Sequence, residues 1–170
     1  MVAAPPNIEH QDLVMRLSAI LYELFGGTGE ATVLPGANVS DREEGWEQNF
    51  RCPDVLVAFR GGRARNCGAF WYGGPDFVAE IVSRDDKSRD KFEFYARIGV
   101  RELLIVDRDP WALELYQLQG SGLKLAGAST LADAALLSSQ VLRLSLRLVP
   151  GNVRPQIEVT HSQSNKSWLA

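Results

Sequence analysis

Apolar residues along the chain repeat with a helical period in some segments and a strand-like pattern in others. In residues 8–25, leucine and isoleucine recur every three or four positions, which predicts an amphipathic helix. A second helix is predicted from Asp85 or Asp86 to about Ile98. Four short segments are rich in apolar residues and predict strands. They are residues 31–39, 54–59, 76–82 and 102–107.

The C-terminal part of the chain is predicted to add two strands and then a tail. Residues 111–118 and 141–149 alternate between apolar and polar positions, as strands with one exposed face do. From Pro150 onward the composition becomes polar, so we predict one domain over residues 1–149 and a polar tail over residues 150–170. The order of helices and strands predicts an α/β fold in which helices flank a mixed sheet.

Composition and charge narrow the functional classes. The 170 residues are 45% hydrophobic and 23% charged, which is typical of one globular domain. No apolar run approaches the roughly 18–20 residues that span a bilayer, and no secretory signal is recognised. The two cysteines, Cys52 and Cys67, lack zinc-site spacing, so we predict reduced thiols in a cytoplasmic protein. The net charge of −3 argues against an extended basic surface that binds nucleic acid, but it allows a small basic patch.

Two acidic residues stand in or beside segments that predict buried strands. Glu80 interrupts an apolar strand, and a carboxylate that is buried without a partner costs several kcal/mol. Asp54 begins the preceding apolar segment. If the two strands are neighbours, the carboxylates repel each other unless a hard divalent cation such as Mg²⁺ or Mn²⁺ lies between them. A structural ion pair at Glu80 and a turn or capping role for Asp54 are the alternatives.

Basic residues on the predicted helices are expected to point toward these two carboxylates. Tyr95 and Ile98 lie within about 40° of Lys91 on a helical wheel, so Lys91 is central on the face that packs against the sheet. Lys91 is therefore predicted to reach the carboxylates, and a surface lysine is the alternative. Lys87 shares its stripe and is a secondary candidate. His10 points inward from the first helix and is another.

Two acids and an inward lysine are the groups that metal-dependent phosphodiester cleavage requires. Asp54 and Glu80 are predicted to hold Mg²⁺ (or Mn²⁺), and the main-chain carbonyl of Ile81 could complete the metal shell. Lys91 is predicted to orient the attacking water or to offset negative charge that develops on the phosphate.

An ordered set of short motifs extends this pattern over about residues 8–118. The motifs are PD at 53–54, EIVS at 80–83, KFEFY at 91–95, GVRE at 99–102 and IVD at 105–107. The set resembles the Uma-type endonucleases of the PD-(D/E)XK nuclease superfamily. This resemblance implies a restriction-endonuclease-like fold and a Mg²⁺-dependent endonuclease that acts on DNA. It also implies that Asp54 and Glu80 are metal ligands and that Lys91 is the catalytic lysine.

Two positions depart from the superfamily pattern. The lysine of the superfamily usually stands two residues after the acid, where this chain has Val82. The family it resembles supplies the lysine from the following helix, which suits Lys91 and leaves Lys87 as a rival. Arg84 stands where the family commonly has proline, so the shape of this loop is left open.

The predicted DNA contacts lie in the loop that follows residues 54–59. Arg60, Arg63 and Arg65 would bind phosphates, and Trp71 and Tyr72 could stack on unpaired bases. A solvated loop is the alternative. Because small nucleases that cut duplex DNA commonly supply one site per strand, a homodimer is a further expectation.

Two other functions compete with the nuclease. A catalytically inactive nuclease-fold module that serves in binding or structure is favoured by the pI of about 5.4 and by the lack of a recognisable DNA-binding domain. A small-molecule hydrolase with Ser83 as its nucleophile is the third reading. It ranks low because Ser83 lacks the Gly-x-Ser-x-Gly context.

Overall fold

The computed structural model describes residues 7–82 and 87–170, which form two helices and fourteen strands. Helix α1 spans Ile8–Leu21, and its first turn is capped by Asn7, whose side-chain oxygen accepts a hydrogen bond from the amide of His10 at 2.9 Å. A π-helical turn over Tyr22–Gly26 continues it. Helix α2 spans Phe92–Ile98 and follows a 3₁₀ turn over Ser88–Lys91. The strands are β1 (Ala31–Pro35), β2 (Val39–Ser40), β3 (Phe50–Arg51), β4 (Val55–Phe59), β5 (Arg65–Asn66), β6 (Trp71–Tyr72), β7 (Phe77–Val82), β8 (Glu102–Arg108), β9 (Trp111–Gln119), β10 (Gly122–Thr130), β11 (Leu137–Ser139), β12 (Leu144–Val149), β13 (Gln156–His161) and β14 (Ser167–Leu169).

The main sheet has six strands in the order β1-β4-β7-β8-β9-β10. Strands β7 and β8 are parallel and every other neighbouring pair is antiparallel. Helix α2 lies in the connection between the two parallel strands, as a parallel pair requires a crossover. The predicted mixed sheet flanked by helices is therefore confirmed.

Alternating side chains of the central strands supply two separate cores. On β7, Phe77, Ala79 and Ile81 pack in the core that contains α1, whereas Val78 and Val82 pack in the core that contains α2. Because both faces of this strand are covered, its pattern is almost continuously apolar, and Glu80 is its charged exception.

Two small four-stranded sheets flank the main one. One has the order β3-β2-β6-β5, so the predicted strand over residues 31–39 is divided between β1 and this sheet. The other has the order β11-β12-β13-β14. No helix in the described part of the chain is long and apolar enough to cross a bilayer.

The segment predicted as a polar tail is part of the second small sheet, so that prediction is corrected. Ile157 and Val159 of β13 are fully buried in the core that contains α1. Arg154 also binds the carboxylate of Asp12 on α1 at 2.7 Å. Alternation of two apolar residues is enough to bury one face of β13, although the average composition of the segment is polar. The predicted helix starts at Asp85 and Asp86 lie outside the described residues.

Candidate functional site

Strands β4 and β7 bring the two predicted acids together at one end of the main sheet. Val55 pairs with Ala79, so Asp54, the residue before β4, lies across from Glu80. One carboxylate oxygen of Asp54 accepts a hydrogen bond from the amide of Ile81 at 2.7 Å. The antiparallel register thus fixes the position of Asp54 relative to β7.

The Glu80 carboxylate is buried, with only 2% of the residue exposed, and the chain's own donors surround it. The Lys91 ammonium lies 2.9 Å from both carboxylate oxygens. The Tyr95 hydroxyl donates to Oε1, and the Ser88 hydroxyl lies 3.4 Å from Oε2. Ser88 and Lys91 belong to the 3₁₀ turn and Tyr95 to α2, so this crossover is packed directly over the end of β7.

Burial and charge act in opposite directions on Glu80. Burial raises the pKa of its carboxyl, the Lys91 ammonium and the Tyr95 hydroxyl lower that pKa, and the charge of Asp54 raises it. Burial, together with the Glu80 charge, raises the pKa of Tyr95 well above its ordinary value. Tyr95 therefore stays protonated at neutral pH and donates to Glu80.

Two further side chains border the acids. The Nε2 atom of His10 lies 3.2 Å from Oδ1 of Asp54, so the inward orientation expected from the sequence brings His10 to this site. The Cys52 thiol lies close enough to the charged groups to respond to them. Desolvation raises the pKa of the thiol, Lys91 lowers it, and Glu80 and Asp54 raise it.

The two candidate lysines occupy different positions. Lys87 is exposed before the 3₁₀ turn begins, whereas the side chain of Lys91 is 27% exposed and contacts Glu80. The geometry therefore favours Lys91 over Lys87. Ser83 and Arg84 lie outside the described residues.

The donor atoms at this end of the sheet fit a hard divalent cation. Within residues 7–82 and 87–170, no three His, Cys, Asp or Glu side chains gather into a metal-binding group. Asp54 and Glu80 supply carboxylate oxygens. The carbonyl of Ile81 points to the same edge of β7 as its amide, which binds Asp54. Two carboxylates, a carbonyl and water are a ligand set that Mg²⁺ accepts, because Mg²⁺ usually keeps several waters.

The three arginines predicted to bind DNA are not gathered around the acids. Arg60 follows β4 at the end opposite Asp54, which six residues of extended chain place about 20 Å away. Arg63 lines a polar cleft of about 760 Å³ that also contains Asp76. Arg65 lies on β5, where it pairs with Glu43.

A second ion pair holds the turn that carries Lys91. Arg89, two residues before Lys91, binds both oxygens of Glu114 at 3.0 and 2.9 Å. The hydroxyl of Tyr116 donates to the same carboxylate at 2.6 Å. Ile105 pairs with both Glu80 and Glu114, so the two acids lie in one row across the sheet, about 10 Å apart.

Sequence reasoning missed the hydroxyl that contacts Glu80. Tyr95 serves in the sequence pattern only as a marker of the buried helix face. Its position four residues after Lys91 was the available signal, because residues at i and i+4 are neighbours on a helix surface. A hydroxyl on such a buried face needs a partner, and Glu80 supplies it.

Comparisons with known proteins agree with this fold. The model of the Uma2 family, described as "Putative restriction endonuclease", matches residues 1–150. The chain is also similar to a solved structure described as "a putative nuclease belonging to DUF820" from Anabaena variabilis ATCC 29413. That similarity has a TM-score of 0.64 and 14% sequence identity, and it covers 84% of this chain and 78% of the other. No curated protein matches the sequence.

Proposed function

This chain belongs to the Uma2 family, and we propose that it is a metal-dependent endonuclease that hydrolyses phosphodiester bonds of DNA. The contact of the Lys91 ammonium with both oxygens of Glu80, at 2.9 Å and beside Asp54, carries this proposal. A buried carboxylate and an ammonium at one end of the central strands, with a second carboxylate across from them, match the needs of phosphodiester hydrolysis.

Asp54, Glu80 and the carbonyl of Ile81 are the proposed ligands of Mg²⁺ (or Mn²⁺). When bound, the cation supplies charge stabilisation at the scissile phosphate and a more acidic water. The amide of Ile81 holds one oxygen of Asp54 in place, and Tyr95 holds one oxygen of Glu80. Both carboxylates are thereby oriented before any ligand arrives, which reduces the cost of binding.

Lys91 is the proposed catalytic lysine. Its ammonium can turn from Glu80 toward a phosphate oxygen, because its side chain is partly exposed at the surface of the site. There it would offset negative charge that develops during attack, or orient the attacking water. Three rotatable N–H donors suit this dual contact.

His10 is proposed to orient Asp54. Its Nδ1 atom is buried and has no hydrogen-bond partner among the described residues, whereas Nε2 faces Asp54. A hydrogen on Nδ1 would be left unsatisfied, so the favoured tautomer carries it on Nε2 and donates to the carboxylate. This contact fixes the second oxygen of Asp54, since Ile81 already holds the first.

Cleavage of duplex DNA in the presence of Mg²⁺ tests this function. We expect the variants Asp54→Asn, Glu80→Gln and Lys91→Met each to lose at least about 100-fold in rate, because each removes a charge that acts on the phosphate or the cation. Glu158→Gln is the matched control, since Glu158 is paired with Arg147 in the second small sheet. Equal cleavage by the wild type and all three variants would contradict the proposal.

A catalytically inactive binding or structural module is the second candidate. Lys91, Tyr95 and Ser88 already supply Glu80 with donors, so the carboxylate is satisfied without a cation. Calorimetric titration with Mg²⁺ and Mn²⁺ separates the two candidates. Binding at millimolar metal that Asp54→Asn removes supports the nuclease, and absence of binding supports the inactive module.

A further inference from the structure

A pair of arginines covers an aromatic ring beside the site. The Arg51 guanidinium lies 4.6 Å from the centre of the Phe94 ring, and that of Arg97 lies 5.4 Å from it. Phe94 is only 3% exposed and belongs to the core that contains α2, so its ring is a fixed support for the two guanidiniums. A guanidinium stacked on a ring is held in place by dispersion and by the ring quadrupole, which limits its freedom to move.

Two observations, one from the sequence and one from the packing of aromatic rings, place this arginine pair close to the acids. Arg51 stands three residues before Asp54, and Phe94 stands three residues after Lys91. The Phe94 ring centre is 6.0 Å from that of Tyr95, whose hydroxyl contacts Glu80. From Lys91 to Arg97 the chain advances about 9 Å, at the helical rise of 1.5 Å per residue. Arg51 and Arg97, here called the arginine track, therefore lie beside the site, although Arg97 is turned about 120° around the helix axis from Lys91.

Positive charge along this track exceeds the negative charge that is paired with it. Arg51 donates to the main-chain carbonyl of Phe50 at 2.7 Å, and no carboxylate among the described residues forms an ion pair with it. Arg97 and Arg42 share a single carboxylate, that of Asp41, at 3.2 and 3.0 Å. Two guanidiniums thus share one carboxylate and Arg51 has none among the described residues, while Glu93 is the one acid of α2.

We propose that Arg51 and Arg97, mounted on Phe94, bind the phosphate backbone of DNA next to the scissile bond. This inference rests on the proposed nuclease function and adds the residues that hold the substrate. Guanidinium groups bind phosphate through two parallel N–H donors, and a stacked guanidinium loses less entropy on binding than a free one. Backbone contacts of this kind fix the register of the duplex without reading its sequence.

The test measures the affinity of a fluorescent DNA duplex in Ca²⁺ without Mg²⁺ over a series of salt concentrations. The double variant Arg51→Gln, Arg97→Gln is expected to bind about 10- to 100-fold more weakly at low salt. The plot of the logarithm of the association constant against the logarithm of the salt concentration has a negative slope. Its magnitude is expected to decrease by about 2, one for each lost phosphate contact. Arg51→Lys keeps the charge and is expected to keep most of the slope.

The double variant Arg143→Gln, Arg147→Gln is the matched control, because it removes the same charge from β12 and the residue before it, on the opposite face of the main sheet from Phe94. Its affinity should stay within about twofold of wild type. Thermal unfolding verifies that each variant folds. If the first double variant does not fold, Arg97→Gln alone carries the test, with an expected slope change of about 1.

The outcomes separate this inference from the nuclease proposal. DNA binding that is weakened no more by loss of Arg51 and Arg97 than by loss of Arg143 and Arg147 overturns the arginine track and leaves the nuclease proposal standing. A wild-type protein that neither binds nor cleaves DNA overturns both. Weaker DNA binding together with a shallower salt dependence, seen in the Arg51→Gln, Arg97→Gln variant and not in the control variant, supports the arginine track.

Discussion

At the scale of single residues, the site depends on one buried carboxylate whose charge is maintained by its neighbours. Burial alone would favour the protonated form of Glu80, and the ammonium of Lys91 and the hydroxyl of Tyr95 oppose that tendency. Tyr95 is itself fully buried, so water cannot replace Glu80 as the hydrogen-bond partner of its hydroxyl. The hydroxyl therefore influences both the orientation and the protonation of the carboxylate.

Tyr95→Phe should lower cleavage about tenfold while the protein stays folded, which corresponds to about 1.4 kcal/mol for a hydrogen bond to a charged group. Tyr116→Phe is the matched control, because it removes a hydroxyl from Glu114, the other acid in the row across the sheet. Steady-state cleavage rates at neutral pH check the prediction. A comparable loss in both variants would mean that Tyr95 acts through general packing.

The same substitution should move the pH profile in a defined direction. In the proposed function cleavage needs ionised Glu80, so activity is expected to fall as the pH drops through its pKa, which lies above the ordinary value for glutamate. Tyr95 lowers that pKa, and its loss raises the pKa further. The acid limb of the profile should therefore shift to higher pH in Tyr95→Phe, and an unchanged acid limb would contradict this role.

At the scale of elements, the crossover between β7 and β8 is held by close backbone packing as well as by the ion pairs of its turn. Gly74 lies in the loop before β7, and the amide of Gly74 donates to the carbonyl of Ile98 at 2.7 Å. A Cβ atom on Gly74 would lie 2.4 Å from the amide nitrogen of Val100 and 2.5 Å from the carbonyl carbon of Gly99. The end of α2 and this loop therefore require a glycine at their contact.

Gly74→Ala is expected to lower the free energy of unfolding by about 3 kcal/mol, because the atoms in the way belong to the backbone and cannot turn aside. Denaturant unfolding measures this change. Gly122→Ala is the control, since a Cβ there meets only the Lys124 side chain at 4.0 Å. Its effect should stay within about 0.5 kcal/mol.

At the scale of the whole molecule, the last strands and the first helix share one core. Residues from α1, the main sheet and β13 pack together, so the segment after Pro150 is part of the fold that supports the site. The N-terminal turns of α1 carry His10, and the Asp12–Arg154 ion pair ties α1 to the segment that precedes β13.

Ile157→Ala should destabilise the protein by about 3 kcal/mol, as expected for removal of a fully buried aliphatic side chain. Val153→Ala, at a residue that is 99% exposed, should change stability by less than about 0.5 kcal/mol. Urea unfolding followed by far- and near-ultraviolet circular dichroism checks both variants. Separate transitions for the two probes would indicate that the C-terminal strands fold independently.

The sequence carried the information for the acids and for Lys91, because a charge in an apolar strand or on an apolar helix face is locally visible. The contact between Arg51 and Phe94 was not visible, since it joins residues far apart in the chain. The strands after Pro150 were missed because average polarity hides a two-residue alternation. Assembly as a homodimer and a cytoplasmic location stay predictions of the sequence.

The ion pair between Lys91 and Glu80 has a consequence for the order in which a nuclease of the proposed kind would be loaded. With one of the two carboxylates already neutralised by the chain's own ammonium, an arriving cation gains less than it would from two free acids. A DNA phosphate that draws Lys91 away restores the full negative charge. Magnesium and nucleic acid must then raise each other's affinity by the same factor, so metal that the resting protein binds at millimolar concentration is held more tightly once the substrate is in place.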